Sequence, residues 1–393
     1  ATGGQQPEAE LLQAARELDD ALFVGDRQQC GPHDFGASLR IFRLMQMLIE
    51  LGWSVTNLAV GQGFHPLYQQ RLAEARAFLA AHGIEAPPPM PATAYLAAAA
   101  VPFDVILLGV SSRADFILAL RRAAPQAVIV FDTIELTFVS MARAAQVQRS
   151  ERLAAQAQAV QSSQLQMVKQ ADVTLVVTED EQRLLAALCP DAAVRVISNV
   201  HRVTDDPVSA SHRRDLLFVG NFVHMPNRDA ARYLATAIWP GLRQALPGVQ
   251  LQLVGLPTPE IEALAAADVQ IVGHVPSLTP FFRRSRLSVA PLRFGAGIKG
   301  KVLESMAQGL PVVMTSVAAE GAYIESGVHA LVADGPAAFA AAVVQLYRDD
   351  ALWLRLAQQG RLLVDAHFGY TAVKARLAAL LAEIAALGPP GRA

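Results

Sequence analysis

A chain of 393 residues, 52% hydrophobic and 17% charged, is long enough for two full cores and too apolar to be disordered. Its net charge of −2 gives no global basic field for a polynucleotide, so nucleic acid is not an expected partner and any cationic site must be local. Two cysteines, Cys30 and Cys189, exclude a disulfide framework and a cysteine zinc site.

The first ten residues, ATGGQQPEAE, lack the basic and apolar regions of a signal peptide. The longest apolar window, residues 92–110, is interrupted by Pro102 and Asp104, which argues against a membrane span. A soluble, cytoplasmic protein is therefore expected. Arg71, Arg76, Arg121 and Arg122 are the candidate basic patch for peripheral membrane contact, weighed against ordinary solvated helix charges. The missing initiator Met and the GPPGRA end fit a segment of a longer polypeptide or complex.

A helix-like segment, 8–18, precedes a first strand at 21–25. The next loop carries Asp34 and Gly36, and a helix with apolar residues at Leu39, Phe42, Met45, Leu48 and Ile49 leads to a strand at 53–60. Gly36 serves either a phosphate's approach to the backbone or a plain turn. A helix is expected at 67–82, then strands at 104–109, 127–132, 173–178 and 194–198. The polar, Ala-rich stretch 142–169 reads as one long, half-exposed helix.

Residues 200–215 are polar, lack apolar periodicity and make the best linker candidate. Alternation then restarts: strand 216–220, helix 229–245, strand 249–254, helix 259–266, strand 269–272 and a short helix at 278–285. Helices at 336–347, 351–366 and 370–387 close the chain. Strands alternating with helices in both halves predict two doubly wound α/β domains whose ligand-binding strand ends face a cleft.

The densest chemistry lies in residues 288–315, SVAPLRFGAGIKGKVLESMAQGLPVVMT. An apolar strand enters a loop with Gly295, Gly297, Gly300, Lys299 and Lys301 beside Arg293, and a short helix follows. Free backbone N–H groups and the helix dipole converge at such a point, so an anion site is expected. G-A-G-I-K-G-K fits the first part of a P-loop, but Val302 occupies the place of the hydroxyl that would hold Mg²⁺. Lys301 and Glu304, three residues apart, suit either an intrahelical ion pair or separate roles on phosphate and ribose.

The run from Lys301 to Val313, K-V-L-E-S-M-A-Q-G-L-P-V-V, with the glycine-lysine loop before it, resembles the donor-nucleotide signature of GT-B glycosyltransferases. It is most similar to the retaining group 1 family, also called glycosyltransferase family 4. LLFVGNFVHMPNRDAARYL (216–234), VRVISNV (194–200), residues 326–361 and GPHDFGASLRIFRLMQMLIELGWSVT (31–56) agree in order and position.

The resemblance implies a GT-B fold of two Rossmann-like domains, 1–203 on the acceptor side and 204–366 on the nucleotide-sugar side. Residues 367–393 would form a helix crossing back to the first domain. It implies a metal-independent, cofactor-free enzyme taking a nucleotide-diphosphate-sugar donor and a glycan, lipid or protein acceptor. Glu304 would bind ribose, Arg293, Lys299 and Lys301 would face the diphosphate, and Gly220, Asn221 and Gly36 would bring backbone to the donor. Ala296 stands where many members carry an acid that contacts the donor sugar.

On the acceptor side, FDTIELTF (131–138) is similar to a D-T-x-D-L-H pattern of some relatives, with Glu135 and Thr137 in place of acid and histidine. Asp132 and Glu135 are candidates to polarise an acceptor hydroxyl or to cap the next helix. Asp34, His224 and His201 are further acceptor-side candidates. Three alternatives stay open: a non-catalytic GT-B-like module, a nucleotide-sugar epimerase and a P-loop kinase.

Overall fold

The computed structural model describes residues 20–25, 36–59, 66–99, 102–109, 114–205 and 209–387. The expected segment 8–18 and Asp34 lie outside them. Two compact units form: residues 1–136, 158–198 and 373–393 make the first, and residues 137–157 and 199–372 the second.

The first unit contains β1 (Asp20–Gly25), β2 (Ser54–Ala59), β3 (Val105–Leu108), β4 (Val128–Asp132), β5 (Val173–Val176) and β6 (Val194–Val196). All pair in parallel, in the order β2-β1-β3-β4-β5-β6. Every residue of β3, β4 and β5 is buried, as expected of strands covered by helices on both faces. The Gly36–Glu50 helix buries Ile41, Phe42, Leu44, Met45 and Leu48 along one stripe. It stops at Gly52, whose φ of 91° lets Trp53 donate back to the Leu48 carbonyl. Within this unit Arg195 pairs with Glu383, and Lys374 with Glu50, which ties in the last helix, Tyr370–Leu387.

The stretch 142–169 is two helices, Thr137–Gln148 and Glu151–Gln170, rather than one. Arg149 takes φ 50°, and Ser150 starts the second helix by accepting Leu153 N–H on its hydroxyl. A serine that caps is a helix start, a signal hidden among many alanines.

The second unit contains β7 (Leu216–Val219), β8 (Leu251–Val254), β9 (Val269–Gly273), β10 (Leu287–Ala290), β11 (Val312–Met314) and β12 (Leu331–Val332). They pair in parallel in the order β12-β11-β10-β7-β8-β9. Counted within the unit, that is the 3-2-1-4-5-6 order of a doubly wound dinucleotide-binding sheet. The helix after β7 begins at Met225 rather than near Asp229, with Pro226 in its first turn, and passes through a π turn at Leu234–Ile238 into Trp239–Ala245. Leu216, Phe218, Phe222, Trp239, Leu253, Val289, Leu303, Phe339 and Trp353 share one core. Among the described residues no helix is long and apolar enough to cross a membrane.

Candidate functional site

In a sheet of this order the ligand crevice opens at the carboxyl ends of the strands where the winding reverses, here between β7 and β10. Gly220 and Asn221 follow β7, and Arg293 to Gly300 follow β10. The topology therefore brings most of the expected donor residues to one edge. In the first sheet the reversal lies between β1 and β3, whose following loops, 26–35 and 110–113, lie outside the described residues.

The loop after β10 is braced at each turn. Leu292 and Phe294 point inward, and Thr315 donates its hydroxyl to the Leu292 carbonyl at 2.6 Å. Gly295 and Gly297 have φ of 151° and 61°, conformations that admit glycine far more readily than other residues. Arg143, on the Thr137–Gln148 helix of the same unit, donates to the Gly295 carbonyl at 2.8 Å and to Glu320 at 2.5 Å.

The cations of the loop divide into two kinds. Arg293 is expected to face the diphosphate, but its guanidinium is paired with both oxygens of Asp229, a residue 5% exposed, and lies over the Tyr233 ring. That carboxylate raises its pKa and compensates its charge, so Arg293 holds the loop to the Met225–Tyr233 helix. Lys299 is also buried, its amine donating to the Gly297 carbonyl at 2.7 Å and to Ala296 at 3.3 Å. It closes the loop on itself.

Lys301 differs. Its amine hydrogen-bonds Asn227 Oδ1 and stands 4.7 Å from the Phe218 ring centroid. Burial, with Lys299 nearby, pushes its pKa down to about 7. Asn227 in turn donates to the Asn221 carbonyl at 3.0 Å, so one side chain joins the turn after β7 to the lysine. A Cβ on Gly220 would approach Asn227 Cβ and Cγ at 3.2 Å, which leaves a glycine the easy fit there.

The Gly300–Ala307 helix starts at this point, and its N-cap position, Lys299, supplies no side-chain cap. Gly300 and Val302 N–H donate to the Ile298 and Lys299 carbonyls at 3.1 and 2.8 Å, and the positive end of the helix dipole favours an anion here. Glu304, one turn in, does not pair with Lys301, the ion pair that the spacing suggests. Its Oε2 lies 2.8 Å from His201 Nδ1, and its Oε1 meets Gln308 Nε2 at 3.5 Å. A longer-range partner on each side outcompetes the local pair.

His201 and His224, expected on the acceptor side, both belong to the second unit and flank this site. His224 precedes the Met225–Tyr233 helix, and burial followed by Lys301's charge lowers its pKa. His201 is 6% exposed and is fixed by its backbone N–H to the Phe368 carbonyl at 2.8 Å.

In the first unit Asp132 is fully buried at the end of β4 and paired with Arg40, itself 2% exposed. Its other oxygen accepts Ile134 N–H at 3.2 Å, and Arg40 also donates to the Ile197 carbonyl at 2.7 Å. Burial raises the Asp132 pKa against Arg40's opposing charge. Asp132 therefore holds the loop rather than presenting a carboxylate, which corrects the expectation that it polarises an acceptor. Glu135 is half-buried, with its carbonyl 3.5 Å from Gln164 Nε2. Gly36 opens the Gly36–Glu50 helix.

Asn227, Asp229 and Arg143 are site residues that the sequence reading passes over. Asn227 and Asp229 carry a signal, a polar pair in P-N-R-D directly after a glycine turn; Arg143 carries none.

Residues 213–349 match the family model of the glycosyl transferases group 1. None of the curated proteins matches the chain in sequence. Among solved structures, sucrose-phosphate synthase from Thermosynechococcus elongatus aligns with a TM-score of 0.70 at 17% identity, covering 94% of this chain and 100% of that one. Anabaena HepE, solved with UDP and glucose, aligns at 0.66 and 14% identity over 93% of this chain and 100% of that one. A Rickettsia africae glycosyltransferase gives 0.64 and 13% over 93% and 98%. These identities speak for a common fold, while the family match covers residues 213–349 of the unit that holds the site. The chain thus has the GT-B fold of two Rossmann-like domains, and residues 213–349 within its second unit are similar to the glycosyl transferases group 1.

Proposed function

We propose that this protein transfers a sugar from a nucleoside-diphosphate donor to a hydroxyl acceptor, with the nucleotide held in the second unit. One observation carries the reading. Lys301 and Glu304 share a helical turn, yet each is turned to a different neighbour, Asn227 and His201. An amine and a hydroxyl-accepting carboxylate are thereby kept apart at a helix N-terminus. A nucleoside diphosphate needs that combination, because its diphosphate seeks cations and backbone N–H groups while its ribose hydroxyls seek an acceptor.

In the transfer, the bond between the sugar's anomeric carbon and the diphosphate oxygen breaks, and negative charge grows on the leaving group. Lys301 and the helix N-terminus stabilise that charge, and Lys299 and Arg293 keep the loop in place for it. Reaction without a metal and with retention belongs to the same reading. So does an acceptor hydroxyl on a glycan, lipid or protein, for which Glu135 is the candidate partner, and a cytoplasmic location with peripheral membrane contact.

HepE was solved with UDP and glucose, which makes UDP-glucose the first donor to try. The test is calorimetric titration with a panel of nucleoside diphosphates with and without EDTA, followed by release of nucleotide from the matching sugar donors. Binding insensitive to EDTA and slow donor hydrolysis are expected. Failure to bind any nucleoside diphosphate would sink the proposal. Ala296, lying where an acid is usual, gives some weight to a non-catalytic module, whose mark would be binding with neither hydrolysis nor transfer.

A further inference from the structure

We propose that His201 is a positioning residue for Glu304, fixing the carboxylate in the orientation that accepts the donor's ribose hydroxyls; this rests on the donor-site reading above. A carboxylate can only accept, so the proton shared at 2.8 Å sits on His201 Nδ1. The other ring nitrogen, Nε2, is buried with no hydrogen-bond partner. An unsatisfied buried polar nitrogen lowers stability, and an apolar side chain of similar shape would avoid the loss. The ring is therefore a poor choice for filling space and a good one for holding Glu304.

The support behind the ring is stiff. His201 N–H is bonded to the Phe368 carbonyl, and the chain forms a parallel bridge between His201 and Gly369. Gly369 cannot carry a side chain without displacement, since a Cβ there would lie 2.4 Å from the Asp365 carbonyl oxygen. On the other side Gln308 reaches Glu304 Oε1 at the outer limit of a hydrogen bond. His201 thus holds one oxygen firmly, and the second stays available as an acceptor.

The experiment compares the ribonucleoside diphosphate that the protein binds best with its 2′,3′-dideoxy counterpart, by calorimetry. The wild type is expected to prefer the ribose form by about tenfold or more, as hydrogen bonds to a charged acceptor imply. His201→Leu should cut this preference to about twofold while leaving the dideoxy affinity nearly unchanged. His201→Asn, whose amide places a donor near the position of Nδ1, should restore most of it; His201→Gln, whose donor sits farther out, should not. A general loosening of the fold would weaken both ligands alike, so the ratio isolates positioning. If Glu304→Gln abolishes the preference and folded His201→Leu and His201→Gln keep it, the positioning role is wrong and the donor site stands. If the wild type binds neither ligand, the donor-site reading falls.

Discussion

Lys301 is hydrogen-bonded to Asn227, 74 residues earlier in the chain, and not to Glu304 on its own helical turn. A local Lys–Glu pair would neutralise both groups, and a site made of a neutral pair would have little hold on a diphosphate. Asn227 prevents this while adding no charge. Replacing it with Ala should remove the acceptor that draws Lys301 away and also free the Asn221 carbonyl. Nucleoside diphosphate affinity should fall about 5- to 30-fold, the equivalent of about 1–2 kcal/mol for hydrogen bonds to a charged group. Unchanged affinity in calorimetry would show that Asn227 has no part in the site.

The same lysine sets a pH dependence. With its pKa down at about 7, Lys301 is mostly neutral at pH 8 in the free protein. A bound diphosphate favours the charged amine and raises that pKa, so binding at pH 8 should take up close to one proton. Affinity should consequently fall as pH rises above 7 and be flat, for this group, below about 6. Titration at pH 8 in Tris and in HEPES measures the uptake directly. Lys301→Arg, whose guanidinium stays charged, should abolish it; equal uptake in wild type and variant would assign the proton elsewhere.

Much of this site is legible in the amino-acid order alone. Gly295, Gly297, Lys299, Lys301 and Glu304 lie within ten residues, and local spacing places them on one loop and helix. What spacing cannot supply is the partner. Arg293 looks like a phosphate ligand in sequence because Asp229, its counterion, is 64 residues away. Asp132 looks available because Arg40, 92 residues distant, closes over it only in the fold. His201 and His224 sit at strand ends in sequence, and only the sheet order shows which strands those ends neighbour. The alternation of strands and helices carries the α/β class, whereas the break at Arg149 rests on one residue's backbone angle.

Arg143 offers a test of the loop's bracing. Its side chain and that of Glu320 are 36% and 41% exposed, so their ion pair should contribute less than about 1 kcal/mol to stability. Its second bond, to the Gly295 carbonyl, acts on the donor loop itself. Arg143→Ala is expected to shift Tm by no more than a few degrees while raising KM for the sugar donor several-fold. A large loss of Tm with unchanged KM would make Arg143 a structural residue alone.

Gly255 and Gly241 make opposite predictions from the same substitution. Gly255 follows β8 with φ 139°, and a Cβ there would fall 1.8 Å from the Gly220 carbonyl oxygen, which is backbone and cannot rotate aside. Gly255→Ala must therefore push apart the turns after β7 and β8, at a cost of about 2–4 kcal/mol from clash and an unfavourable backbone angle. Because Gly220 borders the proposed donor site, nucleotide affinity should drop with it. Gly241 lies inside the Trp239–Ala245 helix, where an added Cβ would meet nothing within 4 Å. Gly241→Ala should stabilise the second unit by about 0.5–1 kcal/mol through helix propensity and a less flexible unfolded chain, and leave binding unchanged. Differential scanning calorimetry of the two variants decides the matter: a Gly255→Ala protein as stable as wild type would mean that the turns after β7 and β8 are not packed backbone to backbone.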